Sequence, residues 1–153
     1  MNLEKKNTIL VTCGPGLGDY LRGELEEMGF EIEAEHGGGI TISGTGVDAM
    51  KLNLHLRTAY NVLYLLKEFD CDNPTELYKT INSMAWEEMI SPNEYLSVVS
   101  RINTPSIDNS MFASMKVKDA IVDRVSEKMG ERPDSGSSRD CLVYHLYWQR
   151  GRC

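Results

Sequence analysis

Three consecutive glycines, Gly37-Gly38-Gly39, constrain this chain more than any other feature. They separate two β-prone runs: Phe30 to Glu35, where apolar and acidic residues alternate, and Ile40-Thr41-Ile42. A link that short joins antiparallel neighbours, because a parallel pair needs a crossover of roughly a dozen residues or more. The flanking segments arrange themselves around that hairpin. Thr8 to Thr12 is β-rich and stops at Gly14-Pro15-Gly16. Leu17, Leu21, Leu25 and Met28 then recur at helical spacing, and Gly29 ends the pattern. Gly46 opens a second helix, expected to bury Val47, Met50, Leu54 and Ala59 on one face, and Asn61 to Phe69 reads as a strand.

The order β-α-β-β-α-β is a ferredoxin-like, split βαβ arrangement: an antiparallel sheet with helices on one face. A second unit follows. Asn73 is placed to cap a helix that begins at Pro74 and continues through Leu77 and Ile81, with Trp86 and Met89 beyond it. Tyr95 to Ile102 reads as a strand, Ser110 to Met129 as the longest helix with Gly130 as its stop, residues 131–139 as a loop, and Cys141 to Trp148 as a final strand. The tail Arg150-Gly151-Arg152-Cys153 has no partner strand after it, which suggests a unit truncated at its C-terminal strands. The expected class is α+β, with domains at 1–71 and 72–153.

Apolar residues at 41% and charged residues at 25% describe a globular chain. No apolar run approaches the length of a membrane span, and the N-terminus lacks a signal peptide, so a cytoplasmic location is expected. Cys13, Cys71, Cys141 and Cys153 are scattered, as are His36, His55 and His145, and none has the spacing of a metal or redox motif; no metal is expected. The net charge of −7 opposes nucleic acid at first sight, but it is unevenly spread. Residues 1–100 carry −9, with Glu24, Glu26, Glu27, Glu31, Glu33 and Glu35 clustered, whereas residues 101–153 carry +2. Any polyanion contact should come from the back third.

Gly14-Pro15-Gly16-Leu17-Gly18 follows a strand and opens a helix, as the cofactor loop of an S-adenosylmethionine (SAM) enzyme does, and Glu33 and Glu35 lie near the distance of a ribose-binding acid. Against that, the next strands pair antiparallel, Pro15 removes a backbone N–H, and no Asn-Pro-Pro-Tyr-like tetrapeptide occurs. A tight strand-to-helix turn is the favoured reading.

On the longest helix, Met111, Met115, Val122, Val125 and Met129 form an apolar stripe edged by Ile121, with Lys118 in its middle and Lys116, Asp123 and Glu127 opposite. Two compatible readings exist for Lys118: its stem packs on the core with the ammonium snorkelling out, or it reaches a phosphate. The loop before the helix is polar, with Asn103, Thr104, Ser106, Asp108, Asn109 and Ser110. Asp108 or Asn109 can cap the helix, its free N–H groups attract phosphate oxygens, and Arg101 can add charge.

Phe112-Ala113-Ser114-Met115-Lys116-Val117-Lys118-Asp119-Ala120-Ile121-Val122-Asp123 resembles the long-helix signature of the THUMP domain in bacterial large-subunit rRNA guanine-N2 methyltransferases. Asn53-Leu54-His55-Leu56-Arg57-Thr58-Ala59, Pro15-Gly16-Leu17 with Glu24-Leu25, and Glu68-Phe69 followed by Leu77-Tyr78 and Trp86 resemble further segments of that family, in order. The resemblance implies a ferredoxin-like unit beside a THUMP unit that helps hold structured RNA, most of all large-subunit rRNA. It also implies a later SAM-dependent domain, and sometimes a second one, that methylates guanine N2. The present chain would then bind no SAM and methylate nothing, and its partners would be RNA and that catalytic domain. The RNA-contact candidates it implies are Arg101, Asn103, Asn109, Ser110, Lys116 and Lys118; Arg101, Lys116 and Lys118 match the family in type, while Asn103 and Asn109 stand where arginine and histidine are common. Arg57 matches too, but reads more readily as a structural charge at a helix end. Three alternatives remain: a tRNA guanine-N2 methyltransferase fragment, a protein-docking module using the acidic cluster, and a small SAM-binding enzyme using Gly14, Gly16 and Gly18.

Overall fold

A computed structural model describes residues 4–91, 93–134, 141–149 and 151–153. The chain divides into two units, Met1–Lys67 and Glu68–Cys153.

In the first unit, β1 (Asn7–Cys13), α1 (Gly18–Glu27), β2 (Ile32–His36), β3 (Gly39–Gly44), α2 (Gly46–His55) and β4 (Ala59–Tyr64) follow the expected order. The sheet order is β2-β3-β1-β4, and every neighbouring pair is antiparallel. Gly39 has to be glycine: a Cβ there would come within 2.5 Å of the Val11 carbonyl oxygen on the paired strand. Ile9, Val11, Ile40 and Ile42 alternate onto the face covered by Leu21 and Leu25 of α1 and by Ala49 and Leu52 of α2. This differs from the expected face of α2. Val47, Met50 and Leu54 are 43%, 54% and 81% exposed, while Gly46, Ala49 and Leu52 are buried. Both stripes have helical spacing, and the sheet takes the one with smaller residues because it lets the helix approach closely. A capping box starts this helix: the Thr45 hydroxyl accepts from Asp48 N–H, and the Asp48 carboxylate accepts from Thr45 N–H. The last strand stops at Tyr64 rather than reaching Phe69.

The second unit contains α3 (Pro74–Asn82), a 3₁₀ turn (Trp86–Glu88), β5 (Tyr95–Asn103), α4 (Ser110–Met129) and β6 (Cys141–Gln149). Asn73 caps α3 by accepting from Thr75 and Glu76 N–H. β5 and β6 pair in parallel, with α4 as the crossover between them. Leu77, Ile81, Trp86, Leu96, Val117, Ile121, Val125 and Trp148 fill the core of this unit. The buried Trp148 indole donates to the Cys71 carbonyl, 2.9 Å away. The tail pairs with an earlier segment: Cys153 exchanges both backbone hydrogen bonds with Phe69, and Cys71 N–H donates to the Gly151 carbonyl. That pairing also brings Cys71 beside Cys153, which spacing in sequence did not show; burial and the neighbouring thiol push Cys153 well above the ordinary thiol range. Within the expected loop at 131–139, residues 135–139 lie outside the described residues.

Candidate nucleic-acid interface

The glycine-rich loop has a structural job. Leu17 N–H donates to the Gly14 carbonyl and closes a turn between β1 and α1, with Gly16 at φ 79°. A groove of about 200 Å³ opens beside it, lined by Gly14, Gly16 and Gly18 with Asp19 and Glu35. Two carboxylates and an all-antiparallel sheet do not make the parallel, doubly wound crevice that holds a dinucleotide-like cofactor. Arg57 is likewise occupied locally. Glu24 accepts from Arg57 N–H and Nε and from Thr58 N–H and its hydroxyl. Burial raises the Glu24 pKa, but the Thr58 hydroxyl and the other donors outweigh it and hold the carboxyl below its usual range. Part of the acidic cluster is therefore spent on structure, and Arg22 pairs with Glu26 and Glu35.

The six candidate residues of the second unit occupy three places. Arg101 and Asn103 are exposed on β5. Asn109 and Ser110 start α4, where the Asn109 side chain accepts from Met111 and Phe112 N–H. Two of the N–H groups that could meet a phosphate are thus already satisfied. Loop 103–109 is also braced, since the Ser106 hydroxyl donates to the Asp72 carbonyl.

Lys116 and Lys118 point away from each other, because two helical residues differ by about 200° in direction. Lys116 faces aromatic rings, 5.7 Å from the Phe112 centroid and 6.0 Å from that of Tyr78. Tyr78 in turn donates to Asp123, a bond that raises its phenol pKa. The expected stripe around Lys118 is buried only in part: its Val122 and Val125 and its edge residue Ile121 are buried, and its three methionines are not. Met111, Met115 and Met129 are exposed, while Ala113, Val117, Ala120, Ile121 and Val125 pack inward, joined by Val122. Between α3 and β5, α4 buries a face of small and β-branched residues and leaves its long methionines at the rim. Lys118 is half-buried beside that rim, with no acidic partner among the described residues.

One part of this surface escaped the sequence reading. Tyr147 and His145 alternate with the inward Tyr144, Leu146 and Trp148, so strand parity alone could have placed them outward. Tyr147 lies directly across from Arg101, whose guanidinium sits 6.0 Å from the Tyr147 ring centroid. Burial first, then the charge of Arg101, holds the His145 imidazole below its ordinary pKa.

Comparison with known proteins gives these geometries a family. Residues 8–63 match the model of the RlmL ferredoxin-like domain, and residues 71–135 match that of the THUMP domain. The chain is an RlmL ferredoxin-like domain followed by a THUMP domain. It is 35% identical to the Ribosomal RNA large subunit methyltransferase K/L of Ectopseudomonas mendocina over 94% of its own length, and 30% identical to that of Syntrophotalea carbinolica over 91%. It spans about a fifth of the length of either relative. Among solved structures, a predicted N6-adenine-specific DNA methylase from Listeria monocytogenes shares the fold at TM-score 0.79 and 22% identity, covering 97% of this chain and 39% of that one. SMU.472, complexed with SAH, has the same TM-score at 19% identity, with coverage of 97% and 40%.

Proposed function

We propose that this chain is the RNA-positioning region of a SAM-dependent methyltransferase acting on guanine N2 of large-subunit rRNA in the cytoplasm. The observation that carries the reading is the THUMP match, together with relatives named as large-subunit rRNA methyltransferases over nearly the whole chain. The second unit would hold RNA through phosphate contacts from Lys118, Arg101 and the polar start of α4. Its contribution to catalysis is to fix the substrate in place while a different domain performs the methyl transfer. SAM would belong to that other domain, because the glycine loop of the first unit is a closed turn beside two carboxylates.

Fluorescence anisotropy with a structured rRNA hairpin, at low and near-physiological salt, tests this. Affinity should fall as salt rises, and Lys118→Glu should weaken binding and reduce the salt slope by about 1. A flat titration at low salt would remove the RNA role from this chain.

A further inference from the structure

The outward row of the β5–β6 ribbon has a composition unlike the rest of the molecule. The inner rows contact α4 and the 3₁₀ turn: the Ser114 hydroxyl of α4 donates to Ser100, and Trp86 packs edge-on against Tyr144 at 5.1 Å. On the opposite side, β5 presents Val99, Arg101 and Asn103, and β6 presents Val143, His145, Tyr147 and Gln149. Val99 and Val143 are 44% and 49% exposed, so among the described residues no helix covers this face. The chain has 23 acidic residues, yet none lies in this row. The register sets Val99 beside His145, Arg101 beside Tyr147 and Asn103 beside Gln149.

We propose that this row is a stacking platform for unpaired nucleotides of RNA, centred on Tyr147 and Arg101. This rests on the RNA-positioning reading above and goes further by naming the form of RNA and the face that takes it. A nucleobase needs a flat π surface, and Tyr147 supplies one with a second flat, cationic group held beside it. Stacking of this kind tolerates any base and is strengthened by a guanidinium. Asn103 and Gln149, the next pair along the ribbon, offer amide donors and acceptors for base edges or phosphates. Arg101 supplies the positive charge that a phosphate backbone requires, and no carboxylate in the row opposes it. The exposed valines give the sugar and base edges an apolar floor. A duplex buries its base faces, so the platform selects single strands or frayed ends.

The test uses the 153-residue chain with a single-stranded oligoadenylate carrying one 2-aminopurine, beside a blunt-ended hairpin. Binding of the single strand should change the 2-aminopurine emission. Tyr147→Phe, which keeps the ring, should stay within about twofold of the wild type, while removing the ring in Tyr147→Leu should cost roughly tenfold in affinity. Val143→Glu, at an exposed position that tolerates charge without disturbing the core, should cost a comparable factor by repulsion and guards against a misfolded Tyr147→Leu. Single-strand binding indifferent to Tyr147→Leu and Val143→Glu would overturn the platform, and hairpin binding still sensitive to Lys118→Glu would leave RNA positioning intact. If neither RNA binds the wild-type chain, both readings fall.

Discussion

The two units cover a sheet with helices on one side and leave different surfaces for use. In Met1–Lys67 the edge strand β2 carries Glu33 and Glu35, and the charges near it are drawn into Arg22 pairs and the Glu24 hydrogen-bond cluster. Charged residues at a sheet edge discourage further pairing. In Glu68–Cys153 the two-stranded ribbon exposes a carboxylate-free row with Arg101 over Tyr147. The unit with the conspicuous glycine motif uses it to turn the chain. The unit with no conspicuous motif on its strands has the surface suited to a ligand. A motif is informative only in the topology that its chemistry requires.

Three perturbations sharpen that contrast. The largest concerns the core beneath the ribbon. Trp148 is fully buried and hydrogen-bonded, so Trp148→Ala should destabilise the chain by about 3–5 kcal/mol in denaturant unfolding. A loss below about 1 kcal/mol would mean that the ribbon is not anchored by this side chain. Next come the helix caps, where the two units should behave alike. Asn109→Ala on α4 and Thr45→Ala on α2 should each cost about 1 kcal/mol, measured the same way. A loss near zero would mean that the Asn109 side chain does not stabilise the start of α4.

The smallest effect is a pH dependence in the second unit. Hydrogen bonds from Arg124, at 2.6 and 3.0 Å, draw the Glu87 carboxyl down to about 2 from an ordinary value of 4.5. A carboxyl whose pKa is lower in the folded state stabilises it fully above its unfolded value, and that contribution fades as pH falls from about 4.5 towards 2. Arg124→Gln should therefore lower the melting temperature at pH 7 and flatten its decline across that acid window. An unchanged acid profile would remove the pair from the stability of this unit.

Much of this fold can be read from local chemistry. Gly37 to Gly39 impose the hairpin, Asn73 and Gly130 mark helix ends, and the resemblance at Phe112–Asp123 points to THUMP. Long-range choices cannot be read that way. On α2 and α4 more than one stripe has helical spacing, and only the packing partner selects Ala49 and Leu52 over Met50, or Val117 and Ala120 over Met115. The ladder between the tail and Phe69–Cys71 joins segments remote in sequence, so reading the tail by itself leaves it without a partner. The candidate site divides along the same line. Arg101, Lys116 and Lys118 are visible as charges, but Tyr147 gains significance only when the register sets it against Arg101.

The parallel pairing of β5 with β6 also sets an order of events in time. Tyr95 cannot meet Cys141 until the intervening segment, including all of α4, has been traversed, whereas β2 and β3 meet across a turn of a few residues. Bringing distant segments together loses chain entropy before any contact offsets it, so topologies rich in remote pairings form slowly. During synthesis the β2–β3 hairpin is complete while β6 is still unmade. The surface proposed for RNA thus forms after that hairpin, and a chain that has not yet reached β6 does not offer it.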